Sequence, residues 1–247
     1  MTQLSPIVNQ SFLYAYGLTL SWGSNTTLSV AAGQARDSNN VIDMATTAAT
    51  TINAAVNGIN GLDTGTFAAS TWYYVYMVGD STNYSSAGFV ISLSATVPTL
   101  PTGYDSYRRI GCALSDGSTH FLKFTQTGNA TTRDYMWDST ISVLSGGTSA
   151  TLALVTLTAG VPPLANLPVT FQVSFTPATA NDYVSLATPG SSATLLPNLS
   201  GVVAAKIQTG QLTQVSGISS SVAKIQYINS AASGATSLWV CAFKDAI

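Results

Sequence analysis

Charged side chains are scarce in this sequence, and glutamate is absent. The 247 residues include 8 Lys and Arg and 10 acidic residues, all of them Asp, so that 7% of the chain is charged, against about 25% in an ordinary soluble domain. Coiled coils need Glu- and Lys-rich heptads and disordered tails have few apolar residues, whereas 46% of this chain is hydrophobic. Both classes are excluded, and we expect a globular protein with a buried core, folded as one large or two small domains.

The balance of charge is also unsuited to a polyanionic partner. The net charge is −2 and the sequence pI is about 5.0, and Arg108 and Arg109 form the only adjacent basic pair. Nucleic-acid binding usually needs a dense basic surface that displaces counterions, so we expect no nucleic-acid partner. No apolar run approaches the roughly 18 residues of a membrane helix, and residues 1–10 lack a basic region followed by an apolar one. We therefore expect neither membrane insertion nor a secretory signal.

Cysteine and histidine are too few and too scattered for the usual catalytic and metal sites. Cys112 and Cys241 lie far apart in apolar segments, which predicts two buried free thiols and folding in a reducing cytoplasm; a disulfide or a metal ligand is the alternative. His120 is the only histidine, and no G-x-S-x-G elbow accompanies it, so we interpret it as a surface or interface residue. The sequence thus predicts no metal, no cofactor and no catalytic centre.

Alternating apolar and polar residues recur along most of the chain. Such alternation is typical of half-buried strands, and turn signals such as Gly-Asp-Ser, Asp-Gly-Ser and Pro-Gly separate the segments. The fold class that this predicts is all-β, with two β-sandwich or jelly-roll-like domains. The predicted strands are residues 18–22, 28–30, 41–44, 72–78, 89–93, 107–114, 121–124, 152–157, 169–175, 183–186, 202–207, 222–228 and 238–243.

Composition divides the chain into three parts. Residues 1–17 show no clean alternation and are expected to form an N-terminal arm that orders on a neighbour. An aromatic, Arg-containing part ends near residue 140 and a Ser-, Thr- and Ala-rich part follows, so we predict an N-terminal β domain over residues 18–140 and a C-terminal β-sandwich over residues 141–247. Within the first domain, residues 45–56 favour extended structure over a short helix, because their threonines are β-branched.

Hydroxyl residues take the place of the missing charges. Ser and Thr make up about a quarter of the chain, and they fill the outward positions of segments such as TTLSV, VISLS, ALVTLT and QVSFT. The solvent face of a monomer's sheet usually carries charges, which keep molecules apart and protect exposed edges. A hydroxyl-rich face is tolerated when it packs on another subunit. The composition favours assembly; a low-charge extracellular surface is the alternative.

One short segment brings acids and aromatics together. It contains Arg133, Asp134, Tyr135, Trp137 and Asp138. Two carboxylates could serve glycoside cleavage, and aromatic rings beside acids suit a sugar-binding surface, so we consider host-surface glycan contact here, and less readily depolymerase activity. The alternative is structural, because aspartates beside turns are common.

Five stretches carry a family resemblance: residues 17–20 (GLTL), 30–37 (VAAGQARD), 61–66 (GLDTGT), 70–76 (STWYYVY) and 98–111 (PTLPTGYDSYRRIG). Over about residues 17–138 the chain resembles a β-rich module of tailed-bacteriophage virion proteins of the tail-fibre-like or head-decoration-like kind. The resemblance implies a non-enzymatic structural protein. The partners it implies are further copies of the chain, in a homotrimer, and other virion proteins bound through the N-terminal arm. It also implies a place on the virion surface after assembly in the bacterial host cytoplasm, as a short fibre, tail accessory or capsid decoration.

Within the last of these stretches, four side chains are candidates for an interface. Tyr104, Tyr107, Arg108 and Arg109 could form a planar hydrogen-bonding patch, since Arg and Tyr are favoured interface anchors. If the segment is a strand, the side chains of Arg108 and Arg109 point to opposite faces, and only one of them faces a partner. The interface hypothesis predicts that Arg108→Ala or Arg109→Ala disrupts oligomers in light scattering.

Overall fold

A computed structural model describes residues 14–128, 131–164, 166–191, 199–219 and 222–247, with the backbone alone for residues 84–86, 214–215 and 218–219. These ranges contain strands and turns but no helix, which confirms the all-β prediction. The strands are β1 Ala15–Gly17, β2 Leu20–Trp22, β3 Thr27–Val30, β4 Gly33–Arg36, β5 Asp43–Thr46, β6 Thr50–Asn57, β7 Gly61–Leu62, β8 Trp72–Asp80, β9 Asn83–Ser92, β10 Ser106–Leu114, β11 Phe124–Gly128, β12 Thr132–Gly147, β13 Ala153–Thr156, β14 Pro168–Thr176, β15 Tyr183–Ala187, β16 Leu199–Ser200, β17 Gln208–Val215, β18 Gly217–Ser219, β19 Val222–Asn229 and β20 Ala235–Ala246.

Three sheets share these strands. The large sheet has 12 strands in the order β10-β8-β9-β7-β6-β3-β2-β11-β12-β20-β14-β17. A 3-stranded sheet has the order β1-β4-β5, and a 5-stranded sheet has the order β13-β19-β15-β16 with β18 paired to β19. Nearly all pairings are antiparallel; the exceptions are those of the two-residue β7 with β6 and β9.

The large sheet folds back on itself to form a two-layer sandwich. Strand β10, at one end of the sheet, lies across the inner face of β2, β11 and β12. There the Cys112 amide donates a hydrogen bond to the Tyr135 hydroxyl at 2.8 Å. A Cβ added to Gly111 would lie 2.5 Å from that hydroxyl and 2.8 Å from a methyl carbon of Leu20. Glycine at this position lets the two layers approach closely. The sandwich predicted from alternation is therefore present.

The 5-stranded sheet approaches the other half of the large sheet. Strands β15 and β16 approach β14 and β17 without pairing to them. The apolar side chains between them, such as Val184 and Ile225 on one side and Phe171 and Val240 on the other, are fully buried. They belong to the same buried cluster as the aromatic core of the first sandwich.

Strand β12 crosses the boundary predicted at residue 140. It pairs with β11 through its first part and with β20 over most of its length, so the large sheet contains strands from both sides of residue 140. The division into two domains stays a prediction. Of the predicted arm, residues 1–13 lie outside the described residues, while Ala15–Gly17 forms β1 and pairs with β4.

Most of the predicted strands are confirmed, and two are wrong in position. Residues 72–78, 107–114, 169–175 and 222–228 lie in β8, β10, β14 and β19, and residues 45–56 are mainly extended, in β5 and β6. The strand predicted at residues 121–124 instead begins at Phe124. Residues 202–207 form bends and turns rather than a strand; Val202 is 75% exposed there, and among the described residues no strand pairs with this segment.

Candidate docking face

The outer face of the large sheet carries a row of small uncharged residues. Antiparallel partners project their side chains on the same face of a sheet, and the register links one residue from each of eight successive strands, β6 to β17. We call these residues the hydroxyl row: Thr51, Ser29, Ser21, Thr125, Met136, Ala242, Thr170 and Thr213. All eight are partly or fully exposed, and none is charged. The prediction that Ser, Thr, Asn and Ala occupy the outward strand positions holds along this row at every position except Met136.

A groove of about 510 Å³ lies on the row where β11, β12, β20, β14 and β17 meet. Its floor and walls are mostly apolar, and Met136 is 63% exposed there. Asp134 and Lys244 stand opposite each other on neighbouring strands beside the row, and Lys244 Nζ lies 3.2 Å from Asp134 Oδ1. The two charges neutralise each other, so this part of the face presents shape, methyl groups and hydroxyls rather than net charge.

The opposite face of the same strands holds a buried polar network. The Tyr135 hydroxyl accepts hydrogen bonds from the Cys112 amide and from Gln126 Nε2 at 2.6 Å, and Gln126 Oε1 accepts from the Leu20 amide at 2.6 Å. Burial raises the pKa values of Tyr135 and Cys112 well above their ordinary range. The network ties β2, β10, β11 and β12 together beneath the docking face.

An ion pair joins β10 to β20 in this network. Arg109 holds Asp245 through two bonds, Nη1 to Oδ2 at 2.6 Å and Nη2 to Oδ1 at 3.1 Å, and also donates to the Ala246 carbonyl. Asp245 is 1% exposed, and this burial raises its pKa, an effect that Arg109 and Arg133 oppose. A bidentate Arg–carboxylate pair fixes both partners in orientation as well as in distance.

The four predicted interface residues are largely committed to contacts within the chain. Arg108 is 6% exposed, and burial and Arg109 lower its pKa while Asp37 opposes the shift. Arg109 binds Asp245. The side chains of Arg108 and Arg109 lie on opposite sides of β10, as alternation predicts. Tyr107 packs edge-on against Tyr76 with ring centroids 5.9 Å apart, and Tyr104 packs partly against the core. Their role in an interface stays a prediction.

The predicted glycan-contact residues separate onto two faces of β12. Arg133, Tyr135 and Trp137 are 1%, 1% and 6% exposed and point into the core, so at these three positions the expected sugar-binding surface is absent. Strand alternation places Asp134 and Asp138 on the other, exposed face. Glycan contact at these two aspartates stays a prediction.

The buried members of that segment have structural partners. Arg133 Nη2 donates to the Gly17 carbonyl at 2.7 Å, and Trp137 Nε1 donates to the Gly160 carbonyl at 3.0 Å. The Tyr135 ring stacks on Phe243 with centroids 4.6 Å apart and planes 7° apart. These contacts join β12 to β1, to the turn at residues 157–161 and to β20.

The residues with potential chemistry are dispersed. His120 Nδ1 lies 3.6 Å from Asp116 Oδ2 at the surface, where Asp116 also accepts the His120 and Ser118 amides, and these contacts lower the Asp116 pKa. Cys112 and Cys241 are free thiols, the first buried and the second half-buried. The described residues contain no group of three His, Cys, Asp or Glu side chains placed to hold a metal ion. They also include no helix long and apolar enough to span a membrane.

Comparison with known proteins gives no family assignment. No protein-family model and no curated protein matches the chain. A similar solved structure is a chain from "Structure of infectious bursal disease virus Gx strain", with 11% sequence identity and a TM-score of 0.26 over 95% of this chain and 66% of that one. A TM-score this low supports no argument about fold or function.

Local sequence patterns do not predict two features of this site. Strand β12 was not among the predicted strands, because its alternation breaks where residues 137–140 stand opposite the single residue Cys241 of β20. The partner of Arg109 lies 136 positions away in sequence, and no local pattern reports such a distance. The hydroxyl row was anticipated only in its composition, since register decides which outward positions align.

Proposed function

We propose that this protein is a non-enzymatic structural protein of a virus particle, exposed on the particle surface, which docks onto copies of itself and onto other particle proteins. The observation that carries the proposal is the hydroxyl row, an uncharged row across eight successive strands of an exposed face. In a soluble monomer such a face ordinarily carries charged side chains, which prevent association. The row itself carries no charge, and the nearby Asp134 and Lys244 pair with each other, so this part of the face has little net charge to oppose association.

The dimensions of the face suit a large part of an interface. Eight strands spaced about 4.8 Å apart span about 34 Å, and two to three outward positions along each strand make an area of several hundred Å². Specific interfaces bury about 800 Å² on each partner. Hydroxyls cost less to desolvate than charges and pair readily, and the groove beside Met136 would receive a side chain of the neighbour.

The kind of particle and the oligomeric state that we propose are those implied by the resemblance to phage virion modules. That resemblance favours a bacteriophage particle, with the protein as a short fibre, tail accessory or capsid decoration, and a homotrimer as its assembled form. A trimer would join the outer face of one copy to a different surface of the next, a contact that closes after three copies. Each weak contact on the particle gains from the effective concentration set by its neighbours.

Electron microscopy of labelled particles tests the proposal. Gold-conjugated antibody against the purified protein is applied to particles from a host culture that produces it. Label at a fixed place on the particle surface is expected, and that place also distinguishes head from tail. Particles that remain unlabelled while the protein stays free in the host extract would refute the proposal. Saturable sugar binding on a glycan array would instead favour a receptor-binding module.

A further inference from the structure

Strand β17 is a long edge strand that is left exposed. The other edge strands in the described ranges are β1, β5, β13, β16 and β18, which have two to four residues each, and β10. Short edges offer little to pair with. Strand β10 is long, but most of it is buried, and its Tyr107 carbonyl accepts the Ser38 amide at 2.8 Å. Strand β17 has eight residues, and Thr209, Gln211 and Thr213 are exposed.

The devices that usually protect an edge strand are missing from β17. No charged residue and no proline lies between Lys206 and Lys224, although charges and prolines are the common means of blocking edge pairing. Bulges also twist an edge away from partners, yet β17 pairs with β14 in one unbroken register from Gln208 to Val215. Among the described residues no strand pairs with its other side. The edge is therefore straight, uncharged and able to accept a further strand.

The sequence of β17 is nearly symmetrical about its centre. Residues 207–215 read I-Q-T-G-Q-L-T-Q-V. In an antiparallel pair of two such strands centred on Gln211, each Thr209 faces a Thr213, each Gln208 faces a Gln214, and Gln211 faces itself. Thr–Thr pairs are favourable across antiparallel strands. On the inner face Gly210 of one copy would lie opposite Leu212 of the other, where the missing side chain leaves room.

We infer that β17 is a self-pairing edge, at which two copies of this chain join antiparallel about a two-fold axis through Gln211. The contact is isologous, so it uses the same residues on both copies and closes after two. It would merge the two large sheets into one and place the two hydroxyl rows on the same face, offset by four residues along β17. The inference rests on the self-association in the proposed function, and it is independent of where on a particle the protein sits.

Disulfide trapping tests the register directly. The variant Gln211→Cys, in a Cys241→Ser background, brings the two introduced cysteines to a Cα separation of about 4.5–5.5 Å across the axis, within disulfide range. Mild oxidation should yield a covalent dimer on a non-reducing gel. The matched control is Gln172→Cys, because Gln172 is the same residue type on the same face and is paired with Gln211. Its two copies would lie about 14 Å apart, three strand spacings, and should not cross-link.

Three results decide the matter. No cross-link at position 211 in a protein that is oligomeric by light scattering would overturn the self-pairing edge and leave the proposed function standing. Equal cross-linking at positions 172 and 211 would also overturn it. A wild-type protein that is monomeric at every concentration would overturn both proposals.

A charge test examines the same axis without cysteine chemistry. Gln211→Lys places two ammonium groups opposite each other and should lower the mass of the assembly by removing the two-fold contact, whereas Thr102→Lys, at an exposed loop position, should leave the mass unchanged. Mixing Gln211→Lys with Gln211→Asp should restore the full mass, because the mixed pair carries opposite charges. An unchanged mass for Gln211→Lys would contradict the inference.

Discussion

The pair of Arg109 and Asp245 shows how one buried contact can hold distant parts of a chain together. The two side chains are 16% and 1% exposed, and they join β10 to β20. Charges this deeply buried have lost most of their hydration, which their mutual attraction and hydrogen bonds replace. Removing one partner leaves the other buried without a counter-ion.

Asp245→Asn should therefore lower the free energy of unfolding by about 3–5 kcal/mol, because Arg109 and Arg133 both lose the nearby negative charge. The measurement is urea unfolding followed by tryptophan fluorescence. Asp134→Asn is the matched control, since it breaks an ion pair whose side chains are 47% and 50% exposed and should cost less than about 1 kcal/mol. Equal losses for the two variants would show that burial of the Arg109 pair contributes nothing.

Residues of β10 and β12 show what strand alternation predicts and what it does not. Alternation predicts that Arg108 and Arg109 point to opposite sides, and the structure has them so. Alternation also places Arg133, Tyr135 and Trp137 on one face of a strand, but it does not say whether that face is core or surface. A sugar-binding role requires these side chains to be exposed, yet each of them reaches a hydrogen-bond partner inside.

At the scale of elements, the fold depends on how closely β10 can lie on β11 and β12. Gly111 is the point of closest approach, since an added Cβ would meet the Tyr135 hydroxyl, Gln126 Nε2 and Leu20 within 2.5–2.8 Å. Register between β10 and β8 also shifts beside this residue. A side chain at Gly111 would push the layers apart and break the bond from the Cys112 amide to Tyr135.

Gly111→Ala should destabilise the protein by about 1–3 kcal/mol through overpacking. Thermal unfolding by circular dichroism measures the loss. Gly117→Ala is the control, because nothing lies within 4 Å of an added Cβ at Gly117, and its melting temperature should match the wild type. A Gly111→Ala protein as stable as the control would mean that the two layers are looser than described.

The strands that sequence predicts best are those with one buried face and no interruption. Strand β14 alternates along its whole length, and so does β19, and both were predicted almost to the residue. Strand β12 has irregular register opposite β20, so its outward and inward positions exchange midway and the pattern is lost. Residues 202–207 carry a strand-like run of valines and isoleucine, but no neighbouring strand pairs with them within the described ranges.

At the scale of the whole molecule, the scarcity of charge and the architecture have a common explanation. The large sheet continues across residue 140, and its outer face carries the hydroxyl row through strands from both halves of the chain. Composition alone could predict that outward positions would be hydroxyl-rich. That these positions form one uncharged row required the register of eight strands, which depends on contacts between distant parts of the sequence.

Multi-angle light scattering on size-separated protein tests the central claim, association through the outer face, most directly. The test variant is Thr125→Lys/Met136→Lys, which places two charges on the hydroxyl row, and the control is Val97→Lys/Thr102→Lys, two exposed loop positions away from it. The account predicts a wild-type mass of three chains or more, an unchanged mass for the control, and a mass of at most two chains for the test variant. A monomeric wild type, or a test variant that assembles as the wild type does, would contradict it.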